Sequence, residues 1–185
     1  MNLVKIIAIL FCVMMLISCE NPFNPKVETG KSGNSLALPN TSPDNVLRNL
    51  VTAYNYKSLD IYKNTLDKDF LFYVVSTDVP EIGTNFWGYE QEIEFHRNLF
   101  TTGSSRGDYV PPNNIFLNLV IPQPENWMMN TQVGKEDWVI IACSFHLTLN
   151  YSIRPDITAT GFARYYLKPV GNEWFIALWQ DESNI

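Results

Sequence analysis

Residues 42–73, SPDNVLRNLVTAYNYKSLDIYKNTLDKDFLFY, contain the pattern from which the rest of the domain can be traced. Ser42 is a favourable N-cap and Pro43 suits the first helical position, so the two predict the start of a helix. Apolar residues then recur at helical spacing and predict one buried face: Val46, Leu47, Leu50, Val51 and Tyr54. A second N-cap, Ser58, predicts a shorter helix. The β-branched and aromatic run from Phe70 to Ser76 predicts a strand.

A third helix is predicted after Trp87-Gly88, with His96 on its apolar side and Gly103 as its stop signal. The second half alternates between apolar and polar residues and predicts four strands. Their expected ranges are 115–121, 139–149, 157–168 and 173–181. Helices followed by a meander of strands predict an α+β domain in which N-terminal helices pack on a strongly curved antiparallel sheet.

The element order and three motifs resemble the nuclear transport factor 2-like, or SnoaL-like, superfamily of cone-shaped domains with a cystatin-like fold. The motifs are residues 42–73, the Phe86-Trp87-Gly88 start of the third helix, and the closing EWFIALWQDE of residues 173–182. The resemblance implies a sheet curled around a conical cavity whose mouth helices close. Isomerases, cyclases, hydratases, transport adaptors and binding proteins all use this fold, so it implies no single function.

Two catalytic positions of the ketosteroid isomerases in this superfamily can be placed on the chain. The resemblance, aligned on Asn55, puts Leu50 where those enzymes carry a tyrosine and Val74 where they carry an aspartate base. Both roles are therefore empty. We expect neither Tyr54 nor Tyr56 to replace the tyrosine, because a shift along the helix turns a side chain away from the site.

The first nineteen residues, MNLVKIIAILFCVMMLISC, are typical of an export signal. The run from Ile6 to Ile17 is wholly apolar and shorter than the roughly 20 residues that span a bilayer. Leu16-Ile17-Ser18-Cys19 resembles the bacterial lipobox, which implies that Cys19 is diacylated and becomes the mature N-terminus. An ordinary secretory signal and an uncleaved anchor are the alternatives.

The chain is thus divided into a lipoprotein signal peptide (1–18), a lipidated Cys19 with a disordered tether (19–42), and the cone domain (43–185). About 23 residues of tether would reach on the order of 25–30 Å. An ordered arm packed on the domain is the alternative. We expect a lipid-anchored protein of the cell envelope. Because Glu20 rather than aspartate follows Cys19, the outer membrane facing the periplasm is expected where a cell has two membranes.

Composition excludes several function classes. The chain has 13 Lys and Arg against 19 Asp and Glu, a net charge of −6, and no basic cluster, so nucleic acid is not an expected partner. Membrane association would then depend on the acyl chains of Cys19. With two histidines and no HxH or HExxH spacing, neither a metal site nor a cofactor is predicted. Cys143 is expected to be a core residue.

Five residues are candidates for a pocket: Trp87, His96, His146, Trp179 and Asp181. His146 lies on the mixed face of the longest strand, and Asp181 follows Trp179 at the end of the last strand. These two are the catalytic candidates, although neither belongs to a recognised catalytic motif. Glu92 and His96 are spaced as a helix-surface pair, and Glu90, Glu92 and Glu94 are expected to form a solvated face.

Three hypotheses for function follow. The first is a membrane-anchored lipoprotein whose cone binds a small apolar ligand or a protein partner without catalysis. The second is an isomerase, dehydratase or hydrolase of the SnoaL-like type that uses His146 and Asp181. The third is an envelope assembly module that forms a homodimer through the outer face of its sheet.

Overall fold

The computed structural model describes residues 36–74, 79–104 and 109–182. The predicted signal peptide, the lipidation site at Cys19 and the tether up to residue 35 lie outside the described residues and stay predictions. No helix in the described part of the chain is both long enough and apolar enough to cross a membrane.

The first two helices follow in tandem, as residues 42–73 predict. Helix α1 spans Pro43–Asn55 and helix α2 spans Leu59–Thr65. Each begins at its predicted cap: Ser42 Oγ accepts a hydrogen bond from Asn45 N at 3.2 Å, and Ser58 Oγ accepts one from Ile61 N at 3.4 Å. The apolar face of α1 is buried. A fully buried leucine of this kind contributes about 1.5–3 kcal/mol to folding.

The third predicted helix is present, although it is more elaborate than the pattern suggested. A single helical turn, α3 (Val79–Ile82), precedes helix α4 (Tyr89–Arg97), which continues into a π-helical turn at Asn98–Thr102. The helical segment ends at Gly103, whose φ is +68°. A Cβ atom at this position would collide with the carbonyl oxygen of Tyr109, so the stop at Gly103 needs glycine.

Seven strands form one sheet. They are β1 (Leu66–Tyr73), β2 (Phe86–Gly88), β3 (Asn114–Val120), β4 (Met128–Met129), β5 (Val139–Asn150), β6 (Ile157–Val170) and β7 (Glu173–Asp181). Their order is β2-β1-β7-β6-β5-β3, with β4 paired beside β5. The pair of β1 and β7 is parallel and every other pair in this sheet is antiparallel.

The predicted α+β fold, with helices packed on a curved sheet, is confirmed, and two details of the sheet prediction are corrected. The sheet is mixed rather than antiparallel, because β1 and β7 are far apart in the chain and no hairpin sets their relative direction. Strand β1 also begins at Leu66 instead of Phe70. Its register with β7 shifts between Leu66 and Leu71, so the polar residues Asp67, Lys68 and Asp69 lie within an irregular strand.

The sheet has an inner face, which packs against the helices, and an outer face. Bulges bend strands, and register shifts occur in β1 and between Tyr166 and Leu167 of β6. The inner face supplies fully buried core residues: Ile141, Cys143, Tyr165, Leu167 and Ile176. Cys143 is thus a core residue, as its sequence context predicts. Burial raises the pKa of its thiol to about 12.

The outer face carries several exposed apolar side chains. Phe116 is 56% exposed, Val120 is 61% exposed and Phe162 is 60% exposed. The register places Val120 and Phe162 on either side of Ser144, so the side chains of Val120 and Phe162 belong to one surface. The predicted homodimer through this face stays a prediction.

The segment from Leu38 to Ser42 belongs to the domain, which corrects the predicted end of the tether. Asn49 of α1 is 3% exposed, and its side chain accepts a hydrogen bond from Leu38 N and donates one to Leu38 O, both at 2.8 Å. Asn40 donates to Asn64 O at 2.7 Å, and Asn40 O accepts from Trp174 N at 2.7 Å. The side-chain amide of Asn49 therefore supplies hydrogen-bond partners for the backbone at Leu38, which belongs to no helix or strand.

We expect Asn49→Ala to destabilise the domain by about 2 kcal/mol, because it leaves buried polar groups around Leu38 and Asn40 without their partner. The free energy of unfolding in urea measures this effect. Asn126→Ala, in the exposed turn after β3, is the matched control and should change it by less than about 0.5 kcal/mol. Equal effects of the two substitutions would contradict the anchoring role of Asn49.

Candidate functional site

A cavity of about 240 Å³ lies between the inner face of the sheet and helices α1 and α4. It is slightly smaller than the range of about 300–1,000 Å³ that small-molecule sites usually span. The exposed side chains of Phe95 and Ala159 mark its mouth. The residues that line it are mostly aromatic or aliphatic: Tyr54, Phe72, Trp87, Glu92, Phe95, His96, Leu117, Phe145, Leu147, Ala159, Tyr165, Trp179 and Asp181.

Strand register brings four aromatic rings together along one wall, which we call the aromatic arc: Trp87, Phe72, Trp179 and Tyr165. Phe72 pairs with Trp87 of β2 and with Trp179 of β7, and Trp179 pairs with Tyr165 of β6. Phe72 and Trp87 stack with ring centroids 4.3 Å apart. The centroids of Phe72 and Trp179 are 5.4 Å apart, and those of Tyr165 and Trp179 are 4.9 Å apart. The arc is therefore a continuous apolar surface.

The helical wall of the cavity is organised around Glu92, a carboxylate that is only 1% exposed. Tyr62 donates a hydrogen bond from its hydroxyl to one carboxylate oxygen, and Trp87 donates from its indole N–H to the other. Together with His96 and Tyr54 these residues form what we call the Glu92 cluster. It joins α4 to α2 and β2 through charge-assisted hydrogen bonds.

The contacts of His96 include two hydrogen bonds and a stacking contact. Its Nδ1 lies 3.0 Å from the carbonyl oxygen of Glu92, which can only accept, so Nδ1 carries the proton. Its Nε2 lies 2.6 Å from the hydroxyl of Tyr54 and therefore accepts from it. The ring stacks on Tyr62 with centroids 3.8 Å apart. One tautomer of a neutral imidazole satisfies every one of these contacts.

Burial shifts the pKa values of Glu92 and His96, the two ionisable side chains of α4 that are buried. It lowers the pKa of His96 to about 3, against a smaller opposing effect of the hydrogen bond to the Glu92 carbonyl. Burial also raises the pKa of Glu92, while the hydrogen bonds from Tyr62 and Trp87 lower it. His96 is consequently neutral near pH 7. The 3.3 Å contact between its Nδ1 and Glu92 Oε1 is then not an ion pair.

The structure places four of the five predicted pocket residues around this cavity: Trp87, His96, Trp179 and Asp181. His146 is not among the lining residues. It is exposed on the outer face, where its Nε2 lies 3.2 Å from the Thr148 hydroxyl. Successive residues of a strand point to opposite faces, and the neighbours Phe145 and Leu147 take the inner positions. The pairing of His146 with Asp181 in one site is therefore wrong.

Glu92 was predicted to lie on a solvated face and to pair with His96 at the helix surface, and both expectations are wrong. Glu90 and Glu94 are exposed, but Glu92 and His96 are buried. A signal for this was present: Glu92 lies beside Ile93 and one turn before His96, so it falls within the apolar stripe of α4.

Tyr54 was also misjudged. It was expected to point away from the site, yet it is buried, lines the cavity and bonds His96. Tyr54 follows Leu50 by four residues, which is close to one helical turn, so the two share a face of α1. Tyr56, in contrast, is exposed.

Two observations concern the metal-ligating and acidic side chains of the described residues. No group of three His, Cys, Asp or Glu side chains with metal-binding geometry occurs among them. Glu182, the neighbour of Asp181, pairs with Arg164 at 3.0 Å. Of the two neighbouring carboxylates, Asp181 is the one that lines the cavity.

No protein-family model matches the sequence, and no curated protein matches it either. Solved structures do match the fold. A conserved protein from Planctomyces limnophilus superposes with a TM-score of 0.56 at 11% identity, over 75% of this chain and 90% of that chain.

Two further solved structures carry informative descriptions. One is a domain from Nostoc punctiforme with a cystatin-like fold, at a TM-score of 0.50 and 13% identity, covering 76% of this chain and 74% of that chain. The other is a hexachlorocyclohexane dehydrochlorinase, LinA type 2, at 0.52 and 7% identity, covering 76% and 81%. Such low identities establish the fold alone. The chain therefore has a cystatin-like fold, as its motifs indicated.

Proposed function

We propose that this protein binds a small, largely apolar ligand in the cavity between α4 and the inner face, and that it does so without catalysis. The observation that carries the proposal is the composition of the cavity wall, in which the aromatic arc adjoins, through Trp87, a Glu92 cluster whose hydrogen-bonding groups are partnered with one another. An apolar surface with few polar groups is typical of small-molecule sites.

Binding accounts for the Glu92 cluster better than the isomerase, dehydratase or hydrolase alternative. A catalytic acid or base needs an atom that can reach the reacting group. The Nε2 of His96 is occupied by Tyr54, and both carboxylate oxygens of Glu92 already accept hydrogen bonds. Because His146 faces outward, the enzyme alternative retains only Asp181 of its two predicted residues.

The proposal includes anchoring at the cell envelope through acyl chains on Cys19. The lipobox-like Leu16-Ile17-Ser18-Cys19 supports it. A ligand-binding domain held at a membrane surface would meet apolar molecules where they are concentrated. Two acyl chains suffice for stable anchoring.

Ala159→Trp is expected to weaken binding of naphthylmethanol, a neutral bicyclic probe, by at least ten-fold. Ala159 is exposed at the mouth of the cavity, so an indole there can block entry without disturbing the core. Isothermal titration calorimetry measures the affinity. Thr158→Trp, exposed at the preceding position of β6 and on the opposite face, is the control and should bind like the unaltered protein. Absence of binding to the unaltered protein would refute the proposed function.

A pH series tests whether His96 is a neutral structural group. The pKa of His96 is about 3 in the folded protein, whereas the ordinary value for a histidine is 6.5. The unfolded chain therefore takes up a proton that the folded domain does not, and stability is lost as pH falls below 6.5. Relative to His96→Gln, the unaltered protein should lose about 2 kcal/mol of unfolding free energy between pH 7 and pH 5. His146→Gln should lose as much unfolding free energy as the unaltered protein. If the unfolding free energies of the unaltered protein and His96→Gln differ by the same amount at pH 7 and at pH 5, His96 is not a neutral buried group.

Lipidation is tested by metabolic labelling with palmitate in a bacterial host. We expect the full chain to incorporate label and to sediment with membranes, and Cys19→Ser to do neither, because the thiol of Cys19 is the proposed acyl acceptor. Cys143→Ala removes a buried core thiol and should still be labelled. Label in Cys19→Ser, or none in the full chain, would exclude the anchor.

A further inference from the structure

A second cavity, of about 400 Å³, adjoins the cavity of the proposed function, which we call the first cavity. Three side chains line both of them: Tyr54, Phe95 and Leu147. The π-helical turn that follows α4 supplies Asn98 and Leu99 to the wall of the second cavity. Turns of this kind are frequent at functional sites. The second cavity is therefore a direct neighbour of the proposed site.

Strand β5 runs along both cavities. Phe145 and Leu147 line the first cavity, and Leu147 and Leu149 line the second. A strand rises about 3.3 Å per residue, so the row from Phe145 to Leu149 extends over about 13 Å. The three side chains of the row are only half-buried, whereas those at the start of the same face are buried. They leave a continuous apolar track between the two cavities.

The helical wall follows the same course. Glu92 lines the first cavity, Phe95 lines both, and Leu99, about one turn further along, lines the second. The ring of Phe95 is 56% exposed, although it lies between two apolar cavities. An apolar ligand that lay across Phe95 would remove this ring from water, which favours binding.

Size also favours a ligand that uses both cavities. The first, at about 240 Å³, is smaller than most small-molecule sites, and the second lies within their usual range. A polar group for one end of such a ligand is present in the second cavity. The Oδ1 of Asn98 accepts a hydrogen bond from Thr102 Oγ1 at 2.8 Å, which identifies Nδ2 as the donor end of the amide. Among the described residues, none accepts a hydrogen bond from this Nδ2.

We propose that the two cavities form one elongated site and that its ligand is a neutral single-chain amphipath, such as a long-chain alcohol. The alkyl chain lies along β5 and across Phe95, with its far end in the first cavity and its polar end beside Asn98. This inference rests on the proposed function, since it assigns a chemical class and a length to the ligand of that site.

A series of straight-chain alcohols tests the length of the site. Hexanol, octanol and decanol share one polar group and differ only in their methylene groups. Calorimetric titration of the full chain should show decanol binding at least ten-fold more tightly than hexanol, because each additional methylene group is removed from water in the second cavity. Decanol should also displace naphthylmethanol, since both occupy the first cavity.

Leu149→Trp fills the second cavity, so decanol should lose its advantage over hexanol while naphthylmethanol binds as before. The milder Leu149→Phe should reduce that advantage in part. Thr148→Trp places the same indole on the opposite face of β5 and should keep the advantage intact. Asn98→Ala should weaken decanol about three-fold or more and leave naphthylmethanol unchanged.

The outcomes separate this inference from the proposed function. If naphthylmethanol binds but decanol binds no more tightly than hexanol, the elongated site is wrong and the proposed function stands. If naphthylmethanol does not bind, the proposed function fails and this inference fails with it. An advantage of decanol that persists in Leu149→Trp, or decanol that binds without displacing naphthylmethanol, would overturn the continuity of the two cavities. Unchanged binding of decanol to Asn98→Ala would overturn the placement of the polar end.

Discussion

The buried carboxylate of Glu92 is the constraint around which the helical layer is arranged. Removing a carboxylate from water costs several kcal/mol unless hydrogen bonds replace its hydration. Here the replacements come from Tyr62 on α2 and Trp87 on β2, while the neighbouring His96 takes a hydrogen bond from Tyr54 on α1. Helix α4, helix α2 and strand β2 must therefore meet at one point for Glu92 to make its hydrogen bonds, and α1 joins them through His96. That requirement fixes how α4 sits over the sheet and, with it, the shape of the cavity.

Local patterns predicted the elements well because each has a local cause. The caps at Ser42 and Ser58 and the stop at Gly103 are decided within a few residues, and the structure has each of them in place. The direction of β1 beside β7 has no local cause, since it depends on the path of the chain between two distant strands. Sequence reasoning consequently found the fold class and missed the parallel pair.

The site was harder to predict than the fold, for reasons specific to its residues. Trp87, Trp179 and Asp181 were found because large aromatic residues and a strand-end acid are conspicuous. Glu92 was missed because a glutamate in a helix is usually solvated, and only its tertiary partners reverse that preference. His146 was misplaced because both faces of β5 begin with apolar residues. The buried positions Val139, Ile141 and Cys143 alternate along the strand and leave His146 on the other face.

The amides at the start of the domain would have a mechanical consequence if the proposed anchor at Cys19 holds the protein by its N-terminus. A pull on the chain before Leu38 would reach Asn49 of α1, then Asn64 at the end of α2 and Trp174 at the start of β7. The force would be divided among two helices and the sheet instead of unwinding α1 from its first turn. A domain tethered in the proposed way could then bear a pull on its N-terminus without losing the first turn of α1.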